Sequence, residues 1–280
     1  MIRILSDSTC DLSPELVEKY NIGIIPLYVH LGEEEYKDGV DIDPLKIFEW
    51  SDAHQVTPKT AAPSVGDLEA FMDPDSDDEY IIFTISASMS ACYNNLRLAV
   101  EDLEMGDRVY VIDSANLSTG IGLQVLYAAE LAQEGKSAKE VVQAVGNIVG
   151  KVRASFVIDT LEYLHRGGRC SGLAAMFGSA LKLHPRIAVF DGAMRPEQKY
   201  RGKDAKYVMD YVKDMEEELK NARPQRVFIT HSHCDPEIVE SVRSYLESLN
   251  HFDEILETYA GSVVSCHCGP GTLGVLFIAE

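Results

Sequence analysis

Three times in the first 120 residues, a short apolar run ends in a loop of hydroxyl side chains, and a helix-like stretch follows. Ile2–Leu5 leads into Ser6-Asp7-Ser8-Thr9, Tyr80–Ile85 into Ser86-Ala87-Ser88-Met89-Ser90, and Val109–Ile112 into Asp113-Ser114-Ala115-Asn116-Leu117-Ser118-Thr119. Apolar runs of strand length alternating with helical periodicity predict an α/β fold. In open α/β sheets, ligands sit beyond the carboxyl ends of the strands, where such loops converge. Hydroxyls and helix N-terminal amides there can form an anion site of neutral donors. Thr60, Ser86, Ser88, Ser90 and Ser118 are the candidates for such a carboxylate or phosphate cradle. The alternative reading is N-capping, because Ser and Thr are favoured before helices whatever the ligand.

The chain has 280 residues and predicts two domains, 1–150 and 151–280, although no Pro/Ser-rich linker marks the break. A formal net charge of −20 argues against broad contact with nucleic acid or anionic membrane. No apolar run approaches the ~18–20 residues that span a bilayer. The N-terminus reads as a strand rather than a signal peptide, so a cytoplasmic protein with reduced cysteines and no stable membrane insertion is expected.

Ser13-Pro14-Glu15 predicts a helix start, and 22–29 a second strand followed by an acidic hairpin or loop over 31–43. Asp43-Pro44 opens a short helix through Trp50, 58–63 is a surface connection, and Ser64 starts a helix with Asp67 in its first turn. Helices are expected over 121–133 and 138–149. In the second half, 153–158 reads as a strand and 160–166 as a helical turn stopped by Gly167-Gly168. Leu173–Leu181 reads as helical, and a hairpin turns at Asp191-Gly192. A long helix follows over 204–220, then a strand over 226–231 and a helix over 236–249. Strands at 255–259, 262–267 and 273–278 close the chain.

Gly167-Gly168-Arg169 offers a close backbone approach and a guanidinium fork for an oxyanion, or else a helix C-cap and a solvated arginine. On a strand over 262–267, Cys266 and Cys268 face one side and His267 stands alone on the other. A metal site would need His231-Ser232-His233-Cys234-Asp235 and Cys266-His267-Cys268 to converge. A single histidine aimed at an anion fits better. His165, Arg166, Arg169, Arg201, Lys203 and His267 would make a local positive site if they converge. There is no P-loop, no G-x-G-x-x-G after a strand and no G-x-S-x-G elbow.

Five segments in order resemble the DegV family of bacterial fatty-acid-binding proteins. Ser6-Asp7-Ser8-Thr9-Cys10-Asp11 is similar to its S-D-S-T-x-D, and Lys59-Thr60-Ala61-Ala62-Pro63-Ser64 to its K-T-S-Q-P-S. Ser90-Ala91-Cys92-Tyr93-Asn94-Asn95 resembles S-G-T-Y-Q-S. The run from Leu161 to Arg169 resembles L-x-x-L-x-x-G-G-R, and His267-Cys268-Gly269-Pro270-Gly271 resembles H-x-G-P-G. The resemblance implies two α/β domains with one long-chain fatty acid between them as ligand, and no other cofactor. It implies that Thr60 and Ser90, with Ser118 counted beside them, hold the carboxylate. Arg169, Arg201 and His267 would face the head group or its phosphate. Family members serve as non-catalytic acyl carriers for the catalytic subunit of a fatty acid kinase, the partner implied here. Ala91-Cys92 and Ala61-Ala62 depart from the pattern beside the head-group site. The competing expectation is a small-molecule kinase or phosphatase-like enzyme using His267 and Asp7. A metal sensor built on the cysteines and histidines ranks last.

Overall fold

The computed structural model describes residues 1–170, 183–203 and 205–280. The helix expected over Leu173–Leu181 and the start of that expected from Asp204 lie outside them. The chain opens with strand β1 (Ile2–Asp7) and helix α1 (Pro14–Tyr20), which Ser13 caps through the Leu16 amide. The strand expected over 22–29 is two, β2 (Gly23–Ile25) and β3 (Tyr28–Leu31). Pro26 separates them, having no N–H for a ladder. β4 (Glu34–Lys37) completes the acidic hairpin, and α2 (Pro44–His54) starts at its Asp43 cap.

Residues 58–63 are more than a connection: β5 (Lys59–Ala61) pairs antiparallel with β3 and places Thr60 opposite Val29. Then come α3 (Val65–Glu69), β6 (Glu79–Thr84), α4 (Cys92–Asp102), β7 (Val109–Asp113), α5 (Thr119–Gln133) and α6 (Ala138–Gly146). β8 (Val152–Val157) and α7 (Glu162–Gly167) open the second half, and Gly168 ends α7 in the left-handed conformation. β9 (Leu183–Phe190) and β10 (Ala193–Arg201) form the expected hairpin around Asp191-Gly192. The long helix breaks at Met215 into α8 (Ala205–Asp214) and α9 (Glu216–Lys220). β11 (Ala222–Ser232), α10 (Pro236–Ser248) and β12 (Glu254–Tyr259) follow.

The strand expected over 262–267 is a helix instead, α11 (Ser262–Cys268), before the last strand β13 (Thr272–Ala279). Its first amides are satisfied by carboxylates distant in sequence: Gly261 N–H donates to Asp11 and Ser262 N–H to Asp38. Tertiary capping overrides the β-branched local signal of Val263-Val264. Cys266 and Cys268 therefore do not alternate with His267 across a strand.

The described residues form three sheets. β2-β1-β6-β7 is parallel, β10-β9-β8-β13-β11-β12 is mixed, and β4-β3-β5 is antiparallel. α5 is apolar almost all round and lies between the first two sheets, as such a helix must. Ile4 and Phe83, Ile121 and Val125, and Ala154, Leu276 and Ile278 share one core around it. α8 and α10 cover the other face of the six-stranded sheet through Val208, Tyr211, Val242 and their neighbours. The third sheet, α2, α7 and α11 meet in a separate core through Val29, Ile47, Tyr163 and Val263. Among the described residues, no helix is long and apolar enough to cross a membrane.

Candidate functional site

Between β5, α7, α11, the loops after β6 and β7 and the face of the six-stranded sheet lies a cavity of about 250 Å3. That is close to the ~300 Å3 at which ligand pockets commonly begin. Its walls are mostly apolar, with Ile85, Met89, Leu117, Phe156, Val263 and Leu276 prominent. They come from both halves of the chain. Thr60, Ser90, Ser118, Arg169 and His267 also line it.

Thr60 Oγ1 lies 2.9 Å from His267 Nε2. His267 Nδ1 is buried with no hydrogen-bond partner among the described residues. It presses against Gly167, where a Cβ would sit 2.4 Å from it, so only glycine leaves room for this imidazole. Burial, and then the charge of Arg169, push the His267 pKa down to about 4, so the ring is neutral at pH 7. An orphaned buried N–H is rarer than an orphaned lone pair. The favoured tautomer therefore carries its proton on Nε2 and donates it to Thr60 Oγ1. The Thr60 hydroxyl proton is then left to point into the cavity.

Ser90 is arranged to the same end. Ala91 gives α4 no side-chain cap, and Ser90 Oγ accepts the Cys92 N–H at 3.2 Å instead. Its hydroxyl proton has no protein acceptor among the described residues. Ser118 differs. It sits at φ 53° and ψ −146° and donates its proton to Asp11 Oδ2 at 2.5 Å. It lines the cavity without offering a donor to it. Ser86 is spent as well, donating to the Gly192 carbonyl at 2.7 Å and docking the β9–β10 turn onto the loop after β6. Ser88 gives its backbone N–H to Ser86 Oγ.

Of the basic set, only Arg169 and His267 reach the cavity wall. Arg169 is exposed and donates from Nη1 to the Gly167 carbonyl at 2.8 Å. Arg201, at the end of β10, and Lys203 are exposed and not among the lining residues. His165 is exposed on α7, and Arg166 there pairs with Glu162.

Asp7 is fully buried and is not among the residues that line the cavity. Its Oδ1 accepts from the Thr9 amide and hydroxyl, and its Oδ2 from the Ile85 amide at 2.7 Å. Burial pushes its pKa up to about 6. These bonds tie β1 to the end of β6. Among the described residues, no group of three or more His, Cys, Asp and Glu could hold a metal. Thr230, His231, Ser232 and Thr272 also line the cavity, and sequence reasoning gave them no such place. Their one signal was position, at the ends of strands in the sheet that forms the cavity wall. The hydroxyls bond within the protein, Thr272 to the Cys268 carbonyl and Ser232 to Ser265.

A family model described as "Uncharacterised protein, DegV family" matches residues 1–280. A DegV domain-containing protein of Deinococcus radiodurans is 32% identical over 276 residues, covering 98% of this chain and 97% of the relative. Protein DegV of Bacillus subtilis is 29% identical over 277 residues, covering 98% of each. A solved DegV family structure from Thermus thermophilus, described by its fatty acid binding, superposes with a TM-score of 0.89 at 28% identity. It covers 100% of this chain and 99% of that one. A stearic acid-binding protein from Eubacterium ventriosum gives a TM-score of 0.84 at 26% identity, covering 100% and 98%. Matched along its whole length by family model, relatives and solved folds, this chain belongs to the DegV family.

Proposed function

We propose that the cavity takes a long-chain fatty acid and that the protein presents its carboxyl group to a partner kinase, without catalysing the transfer itself. One observation carries the reading: an apolar cavity into which Thr60 and Ser90 can turn free hydroxyl protons, beside Arg169. The solved relatives from Thermus thermophilus and Eubacterium ventriosum, described as binding fatty acid and stearic acid, support it. Residues 1–150 and 151–280 each contribute an α/β half, with the acid between them. The place of action is the cytoplasm.

The energetics divide the labour. A C16–C18 tail has about fifteen methylenes, each worth ~0.8 kcal/mol when fully buried. That sum is an upper bound, reduced by association and by ordering the tail. The tail dominates affinity and the head group fixes position. Neutral hydroxyls hold a carboxylate without consuming it. One of its oxygens stays available to attack the phosphoryl group of the kinase's nucleotide, which leaves as the diphosphate. Arg169 then faces the charge of the new acyl phosphate. The Asp7 oxygens, which the enzyme alternative would use, accept from Thr9 and Ile85.

Mass spectrometry of organic extracts from the purified protein tests the reading. A co-purifying long-chain acid is the expected result, and its absence together with no binding of added oleate contradicts it. Incubation of the purified protein with ATP alone should yield no acyl phosphate. Turnover under those conditions would make the chain an enzyme.

A further inference from the structure

We infer that Asp11 and Asp38 are positioning residues, which together cap helix α11 and thereby hold His267 against Thr60. The inference rests on the reading that Thr60 grips the head of the ligand.

α11 has only seven residues and no side-chain cap of its own. A helix that short has no stability in isolation, and its first amides need acceptors. Two carboxylates supply them. Gly261 N–H donates to Asp11 Oδ1 at 2.9 Å, and Ser262 N–H donates to Asp38 Oδ1 at 2.7 Å. Both aspartates are buried, at 6% and 2% exposure. They meet over one atom: a Cβ on Gly261 would lie 3.1 Å from an Asp11 oxygen and 3.2 Å from an Asp38 oxygen.

Each carboxylate is anchored to the cavity wall through its other oxygen. Ser118, a wall residue, donates to Asp11 Oδ2. Ser8 Oγ donates to Asp38 Oδ2 at 2.7 Å while accepting the amide of Leu27, another wall residue, at 3.1 Å. A local Ser or Thr could satisfy an orphan amide of α11. The two carboxylates also fix the helix against the loop after β1 and the end of β4. Burying neighbouring carboxylates is unfavourable, and burial pushes both pKa values up. Hydrogen bonds and the positive end of the helix offset part of that cost. At the other end of α11, Nε2 of His267 meets Thr60, and Nδ1 abuts Gly167. With a rise of about 1.5 Å per residue, movement at the capped end carries straight to His267.

The test follows the His267 imidazole by NMR titration in the full chain, comparing wild type with Asp11→Ala, Asp38→Ala, Asp11→Asn, Asp38→Asn and Gly261→Ala. In the wild type His267 stays neutral down to about pH 4. The alanine variants should raise its midpoint by a unit or more, because the loosened ring meets water. Removing a carboxyl group, ionised or protonated, cannot by charge alone raise the midpoint, so the sign separates positioning from electrostatics. The asparagine variants keep an acceptor oxygen and should restore the wild-type value. Gly261→Ala retains both carboxylates and should raise the midpoint, which decides the matter if an alanine variant does not fold. An unchanged midpoint in the folded aspartate-to-alanine variants, or in Gly261→Ala where those do not fold, overturns the inference. Lipid extraction from the same samples judges the fatty-acid reading separately. A lipid-free wild type unable to bind oleate would sink that reading and leave a His267 shift standing.

Discussion

Single side chains decide whether the cavity is a polar hole or a head-group cradle, and the deciding quantity is where each hydroxyl proton points. Thr60→Ala and Ser90→Ala should each weaken oleate binding by ~1 kcal/mol, about fivefold, with most acyl affinity retained. Isothermal titration checks this, and complete loss of binding with the fold intact contradicts it. His267 makes a second prediction. Its folded pKa is depressed from 6.5 to about 4, so the stability it confers is present above pH 6.5 and lost as pH falls through 4. Urea unfolding of wild type and His267→Gln should diverge across that window by up to ~3 kcal/mol. The comparison must be a difference, because Asp7, raised to about 6, contributes in the opposite direction over the same range. The identity of the hydroxyl residues was legible in the sequence, but their proton directions were not. Ser118 and Ser90 look alike in a loop. Only the fold shows that Ser118 spends its proton on Asp11 while Ser90 merely accepts from the Cys92 amide.

At the scale of elements, local signals sufficed wherever the stabilising partners are local. Ser13-Pro14 and Asp43-Pro44 start helices because cap and amide lie within one turn of each other. Asp191-Gly192 turns a hairpin because both residues adopt positive φ. The segment of α11 reads as a strand in the sequence because its capping carboxylates are 250 and 224 residues away from the amides they bind. β5 is hidden in the sequence because the four residues between Pro58 and Pro63 carry no pattern, and pairing with β3 makes three of them a strand. The continuous apolar face of α5 was readable, but not its place between two sheets. That place sets a third prediction. Ile121 is fully buried in the shared core, so Ile121→Ala should lower unfolding free energy by about 2–5 kcal/mol in urea titration. A change below about 0.5 kcal/mol, the scale of a surface substitution, would show that α5 is not packed as described.

For the whole molecule, the division into halves visible along the sequence does not divide the core. The cluster around α5 runs from Ile4 to Ile278, and Arg226 on β11 binds Glu130 on α5 at 2.5 Å. Calorimetry should accordingly give one transition, with matching van't Hoff and calorimetric enthalpies. Two resolved transitions would mean that the halves melt separately. The mostly apolar walls of the cavity likewise draw on both halves. The central claim is that burial of an alkyl tail dominates affinity while neutral donors hold the head. Titration of the full chain with saturated acids of increasing length measures it directly. Affinity should rise by up to about fourfold per added methylene until the cavity is filled, following ~0.8 kcal/mol for each buried CH2. Affinity independent of chain length, or binding only of short, soluble anions, would contradict the account.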